Sequence, residues 1–145
     1  MSFLTLTTDY GYRDAEVALL KALIFKHSND VNIIDVTHGV TPYAVAEAAY
    51  IMEGLAPAFP KGTVHLMGME PHRTSWRDAV AVLWKDQFWV GTDNGVFGLM
   101  MYQELPEKII RITVDATNDL EQLVIAATHL GKGLPIEELG SSMEK

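Results

Sequence analysis

The sequence predicts an α/β fold, a three-layer α/β/α sandwich with a mainly parallel central sheet. Two kinds of apolar pattern carry this: short β-branched runs, and longer stretches with apolar residues at helical spacing. They alternate as β-α-β-α-β through the N-terminal half, which places helices on the faces of parallel strands.

Ser2 to Thr8 alternates apolar and hydroxyl side chains and reads as the first strand. Gly11 offers a bend, and a helix pattern begins near Arg13 and runs to His27, with Val17, Leu20, Leu23 and Ile24 on one stripe. Val31 to Asp35 is a short β-branched run that reads as a buried parallel strand, ending in Asp35-Val36-Thr37-His38-Gly39. Pro42 suits the first turn of a second helix reaching about Ala56, and Pro57 with Pro60-Lys61-Gly62 stops it. Thr63 to Gly68 is the third strand, and Glu70 to Asp78 is a polar loop. Ala79 to Trp84 and Gln87 to Val90 are strands joined at Lys85-Asp86 as a hairpin. Asp93-Asn94-Gly95 is a turn followed by the apolar Val96 to Met101. Lys108 to Val114 is a further strand, and Leu120 to Gly131 a final helix with Gly131 and Gly133 as its stop.

Composition narrows the class. A chain of 145 residues fits one domain that buries roughly 70% of its unfolded surface. Hydrophobic residues make up 48%, so a packed core is expected rather than disorder. The absence of cysteine excludes disulfides, Cys-based metal sites and thiol chemistry. No apolar run is long enough to cross a membrane, and the N-terminus lacks the signal-peptide pattern, so a cytoplasmic protein is expected. A net charge of −8 without a basic cluster argues against a nucleic-acid partner.

Four loops are expected to meet at the carboxyl edge of the sheet: Asp9 to Asp14, Asp35 to Thr41, Gly68 to Asp78, and Ala116 to Glu121. A fifth, Thr92 to Gly95, leaves the hairpin nearby. In an open α/β sheet that edge is where ligands bind. One chemistry the residues allow is a metal-dependent phosphohydrolase, with Asp9, Asp35 and His38 as ligands. It is weakened by Tyr10-Gly11, which stands where a second aspartate belongs. For His38 the favoured reading is a histidine that bonds a backbone carbonyl and locks a turn. Asp14 and Asn118 each stand where a helix cap is also expected. Trp84 and Trp89 flank the hairpin turn and read as packing residues, whereas Trp76 on the polar loop is the better candidate for lining a pocket.

Several blocks, in order, resemble one family. Thr7-Thr8-Asp9-Tyr10-Gly11 with Asp14, Val17 and Lys21 is similar to the opening of the S-adenosylmethionine hydroxide adenosyltransferases. That superfamily also includes the S-adenosylmethionine-dependent fluorinase and chlorinase. Asp35-Val36-Thr37-His38, Phe59-Pro60-Lys61-Gly62-Thr63-Val64-His65 and Val90-Gly91-Thr92-Asp93-Asn94-Gly95 resemble its next three blocks. Ala126-Ala127-Thr128-His129-Leu130 with Gly133, Pro135 and Leu139-Gly140 resembles the close of its N-terminal domain. The likeness covers nearly the whole chain. It implies a domain over residues 1–140, a flexible tail at 141–145, and no counterpart of the family's C-terminal β domain.

The resemblance also implies a reaction. Water displaces methionine in line from C5′ of S-adenosylmethionine, giving adenosine and methionine, with no cofactor or metal beyond the substrate itself. Asp9 matches the aspartate that holds the ribose hydroxyls, Asp14 a second pocket aspartate, and Tyr10 and Asn94 belong to the matching substrate-binding segments. The water-handling Asp, Arg and His of hydrolytic members fall at Glu70, Arg77 and Asn118, with Arg73 an alternative for the arginine and His72 for the base. Asparagine orients a water but takes no proton from it at neutral pH. Halogenation is rejected, because the Glu70 carboxylate would repel a halide. A homotrimer is implied, as is the alternative of a non-catalytic nucleoside-binding or assembly module whose water site has decayed.

Overall fold

A computed structural model of the chain describes residues 2–69 and 78–144. Alternation in the first strand, β1 (Ser2–Thr8), buries both of its faces. Leu4 and Leu6 enter one core and the hydroxyls of Thr5, Thr7 and Thr8 lie buried, so β1 is central. Each of those leucines contributes about 2 kcal/mol by leaving water. The strand order is β2-β1-β3-β5-β4-β6-β7, with β2 (Val31–Thr37), β3 (Val64–Gly68), β4 (Ala79–Trp84), β5 (Gln87–Thr92), β6 (Lys108–Ile112) and β7 (Gly140–Ser142). Strands β2, β1, β3 and β5 are parallel, and β4, β6 and β7 extend the sheet by antiparallel pairing.

Helices cover both faces, as the three-layer reading expects. Helix α1 (Glu16–His27) buries Val17, Leu20 and Ile24 beside α4 (Asp119–Gly131), which buries Leu123, Val124, Ala126, Ala127 and Leu130. On the opposite face, α2 (Val45–Glu53) and α3 (Val96–Met101) pack Ala48, Ala49, Met52, Val96, Phe97 and Met100. The period-two rule shows in β4, where Ala79 and Ala81 serve the first core and Val80 and Val82 the second. Trp84 and Trp89 are buried in that second core, as expected for packing residues.

Differences from the sequence expectations have local causes. Helix α1 starts at Glu16 rather than Arg13, because Gly11 turns the chain at φ +70° and Asp14 Oδ1 accepts the Glu16 N–H at 3.0 Å. Helix α2 starts at Val45, since Tyr43 at φ 66° cannot belong to it. The run Val96–Met101 is a helix too short for its period to show in the sequence. Ser141 and Ser142, expected in a flexible tail, belong to β7, and Met143 N–H reaches Ile109 O at 2.8 Å. The Lys85-Asp86 hairpin has the two left-handed residues of a type I′ turn, at φ 53° and 60°.

From β1 the chain steps to β2 through α1 on one face. It then steps back across β1 to β3 through α2 on the other. In an open α/β sheet such a reversal marks where a ligand crevice is expected, outside the carboxyl ends of β1 and β3.

Candidate active site

The last residue of β1 begins the site. Thr8 is buried, Asp9 follows it with carboxylate oxygen Oδ2 buried, and Tyr10 leans across to the end of β3. Gly68 makes room for that ring. A Cβ there would lie 3.1 Å from Thr8 Cγ2 and 3.2 Å from the Tyr10 hydroxyl oxygen, tighter than side chains normally tolerate. Burial pushes the Tyr10 phenol well above its usual range, and the negative charges of Asp9 and Glu16 add to that. Tyr10 therefore stays a neutral O–H group beside a carboxylate at any ordinary pH.

The loop is tied to the segment after β2. Gly11 N–H donates to His38 O at 2.7 Å and Val40 N–H donates to Thr8 O at 3.2 Å. His38 is itself buried, with both ring nitrogens engaged. Nε2 lies 2.7 Å from Asp35 Oδ1, and an ionised carboxylate only accepts, so Nε2 carries the proton. Nδ1 shares a hydrogen bond with the Thr8 hydroxyl at 2.6 Å, and Thr8 Oγ1 accepts Tyr10 N–H at 3.2 Å. Lys21 Nζ of α1 donates to Asp35 Oδ2 at 2.7 Å. Burial acts upward on the Asp35 carboxyl, but the bonds from His38 and Lys21 and the Lys21 charge outweigh it and hold the group below its usual range.

These contacts correct the two readings of His38. Its partners are a carboxylate and a hydroxyl rather than a backbone carbonyl, although its own carbonyl does lock the turn at Gly11. Both of its ring nitrogens are engaged by protein groups, and among the described residues no three His, Cys, Asp or Glu side chains are placed to hold a metal.

The remaining expected residues fall in three groups. Asp9 and Tyr10 sit together at the carboxyl edge of the sheet. Asp14 is exposed, one residue before the Ala15 N-cap of α1, and its carboxylate accepts the Glu16 N–H. Asn94 and Asn118 both act at helix starts: Asn94 Oδ1 accepts Val96 N–H at 3.1 Å, and Asn118 Oδ1 accepts Glu121 N–H at 2.9 Å as the N-cap of α4. Both caps use only the amide oxygen, leaving each NH2 group outside the bond. Glu70, His72, Arg73, Trp76 and Arg77 lie outside the described residues. The next described residue is Asp78, whose backbone oxygen accepts Asp93 N–H at 2.8 Å and whose carboxylate accepts from Arg111 Nε at 3.1 Å. Thus the 78 and 93 loops meet, as do the 9 and 38 loops, and the loop after β6 leaves from the same edge.

Thr8 and Lys21 were not readable as site residues, since each meets its partner only after folding. A second buried network was missed altogether, because His65 and Gln87 stand inside apolar strands. Gln87 Nε2 donates to Ala56 O at 2.6 Å and Phe59 O at 3.1 Å, so Oε1 accepts from His65 Nε2 at 2.6 Å. Thr5 then donates to His65 Nδ1 at 2.7 Å. Burial pulls the His65 pKa down to about 4, the Gln87 bond opposing it only in part.

Chemically, this edge holds an acceptor-only carboxylate, one oxygen of it buried, and a neutral phenol on a braced loop. That combination suits a polyhydroxylated ligand, because one carboxylate accepts from two adjacent hydroxyls. Comparison with known proteins identifies the family. Residues 4–140 match the family model described as the SAM hydroxide adenosyltransferase N-terminal domain. The chain is 30% identical to an (R)-S-adenosyl-L-methionine hydrolase of Thermus thermophilus over 149 aligned positions, covering 92% of this chain and 58% of that protein. The enzyme of the same name from Methanocaldococcus jannaschii is 31% identical, covering 77% of this chain and 44% of that one. A fluorinase of Actinopolyspora mzabensis is 25% identical, covering 94% and 56%. Among solved structures, an uncharacterized conserved protein from Thermotoga maritima aligns with a TM-score of 0.86 at 28% identity, over 99% of this chain and 59% of its own. The chain thus spans about half the length of the curated relatives it matches. By the extent of the family match, it belongs to the SAM hydroxide adenosyltransferase family, as its N-terminal domain.

Proposed function

We propose that this domain holds the ribose of S-adenosylmethionine and takes part in its hydrolysis to adenosine and methionine. The observation that carries the reading is Asp9, a carboxylate at the topological switch point on a loop hydrogen-bonded on both sides. Such a group selects a cis-diol by accepting from both hydroxyls, and it places C5′ at a fixed distance from the sheet edge. Asp14, Tyr10 and Asn94 would complete the polar surround. Glu70 and Arg77 would hold the attacking water, and the amide of Asn118 would orient it. The matched hydrolases support water as the nucleophile, and the carboxylate of Glu70 disfavours the halide used by the fluorinase relatives. Catalysis here is positioning and charge stabilisation, with the electron pair of the breaking C5′–S bond leaving on methionine sulfur. A homotrimer, as the family resemblance implies, would complete the pocket.

Asn118 favours a second reading. Its oxygen is spent on capping α4 and it accepts no proton, which suits a module that binds nucleoside without turning it over. Incubation with S-adenosylmethionine and product analysis decides between the two. Adenosine and methionine released in step, and lost in Glu70→Ala, establish hydrolysis. Adenosine binding without release of either product establishes the binding module.

A further inference from the structure

We propose that the hydrogen-bonded chain Lys21–Asp35–His38–Thr8 is a positioning device for Asp9, with Thr8 and His38 as its positioning residues. The inference rests on the ribose-holding role proposed for Asp9. Four elements contribute one group each: Lys21 from α1, Asp35 from β2, His38 from the segment after it, and Thr8 from the end of β1. The chain terminates at Tyr10 N–H, so its last two links flank Asp9 in sequence. Two backbone bonds close the same loop, Val40 N–H to Thr8 O before Asp9 and Gly11 N–H to His38 O after it. The backbone that carries Asp9 is therefore held on both sides by the segment that places the His38 ring.

The residue choices make sense only if the loop must be held. Valine has the shape of threonine and suits a strand at least as well, so β1 itself does not require a hydroxyl at position 8. A buried hydroxyl is costly without a partner, and this one has two. Asp35, bonded by His38 and Lys21 together, takes the N–H at His38 Nε2 and so turns Nδ1 toward Thr8. Thr8 Oγ1 thus bonds His38 on one side and accepts Tyr10 N–H on the other. Full burial of Thr8 also separates this arrangement from a hydroxyl nucleophile with a histidine base, since no substrate atom can reach Oγ1.

The test is amide hydrogen exchange by NMR on the ligand-free 145-residue chain, paired with adenosine titration. In Thr8→Val the Tyr10 and Gly11 amides exchange about tenfold faster, while in Thr8→Ser they stay within about twofold of native. Unchanged exchange in Thr8→Val overturns the proposal, as does an equal increase across β1 and β3. Asp35→Asn, on an edge strand and partly exposed, reads the far end of the chain and guards against a valine variant that does not fold. Faster exchange at Tyr10 and Gly11 supports the coupling, and native rates there overturn it. Adenosine affinity then separates the two ideas. Loss in Asp9→Ala, with about tenfold weakening in Thr8→Val and recovery in Thr8→Ser, supports positioning. Loss in Asp9→Ala with native affinity in Thr8→Val overturns it. If the native chain binds no adenosine, the ribose role falls, and the exchange rates alone decide whether the loop is held.

Discussion

His38 and His65 are both buried, and each is hydrogen-bonded at Nδ1 to a threonine of β1, Thr8 in one case and Thr5 in the other. They differ at Nε2. His38 donates to a carboxylate that reaches the surface and meets a lysine, whereas His65 donates to the side-chain amide of Gln87. Around His65 everything is neutral or aromatic, with Trp89 stacked at 4.0 Å and Phe59 edge-on at 5.6 Å. The same imidazole-threonine unit thus serves two purposes. In the middle of the sheet it joins β1, β3, β5 and the segment after α2 as a sealed polar core. At the sheet edge it joins three elements to a loop that carries a carboxylate. What separates them is whether the far partner is charged and connected to solvent.

The sealed network should break hardest. Gln87→Leu strips partners from His65 Nε2, Ala56 O and Phe59 O together, and each unsatisfied buried group is costly. Urea unfolding at pH 7 is expected to show a loss of about 4 kcal/mol. The next largest effect is pH dependence. Below its unfolded pKa of 6.5 the unfolded His65 takes up a proton that the folded ring refuses until about pH 4. Stability therefore falls as pH drops through that window, by about 3 kcal/mol in all. His65→Leu removes this titration. Its deficit against the native chain should narrow by about 2–3 kcal/mol between pH 7 and pH 4.5 in paired denaturation curves. A constant deficit would show that the folded His65 ring titrates like the unfolded one.

The comparison also explains which parts were readable in sequence. The Thr7-to-Asp14 turn declares itself because strand alternation, a bend glycine and a helix stripe follow each other directly. The carboxylates therefore land at the sheet edge without any knowledge of packing. Asn94 and Asn118 are ambiguous for a chemical reason, since the amide that caps a helix is the same amide that would meet a ligand. Asp35 and His38, three residues apart, looked like metal ligands, because the lysine and threonine that occupy them arrive from other elements. His65 gave less still. A lone histidine in an apolar strand shows its purpose only when a glutamine from β5 faces it. Helix α3 and β7 escaped through shortness, each offering too few residues for a period.

Matched threonine variants sharpen the contrast at intermediate size. Thr5→Val leaves His65 Nδ1 buried without a donor and should cost about 2 kcal/mol of stability. It should leave the Tyr10 amide exchange rate and adenosine affinity native, in contrast to Thr8→Val. A Thr5→Val chain that loses adenosine affinity would mean that the two networks act as one.

The smallest expected effect lies at the outer end of the edge chain. The Lys21 and Asp35 side chains are 31% and 35% exposed, so water screens their attraction. Lys21→Met should lower stability at pH 7 by only about 0.5 kcal/mol. The Asp35 carboxyl is the sensitive reporter instead. Its pKa is held down partly by the Lys21 bond and charge, so it should rise in the variant while the His38 bond keeps it from returning fully. A lowered carboxyl pKa stabilises the fold above the ordinary carboxylate range, and that contribution disappears as acid protonates the folded group. The variant and native chains should accordingly differ at pH 7 and converge only once acid has protonated the folded Asp35, below the ordinary carboxylate range. Carbon-13 detection of the Asp35 carboxyl during titration measures the shift directly. An Asp35 titration that ignores Lys21→Met would cut the chain at Asp35, leaving His38 and Thr8 as a local brace with no link to α1.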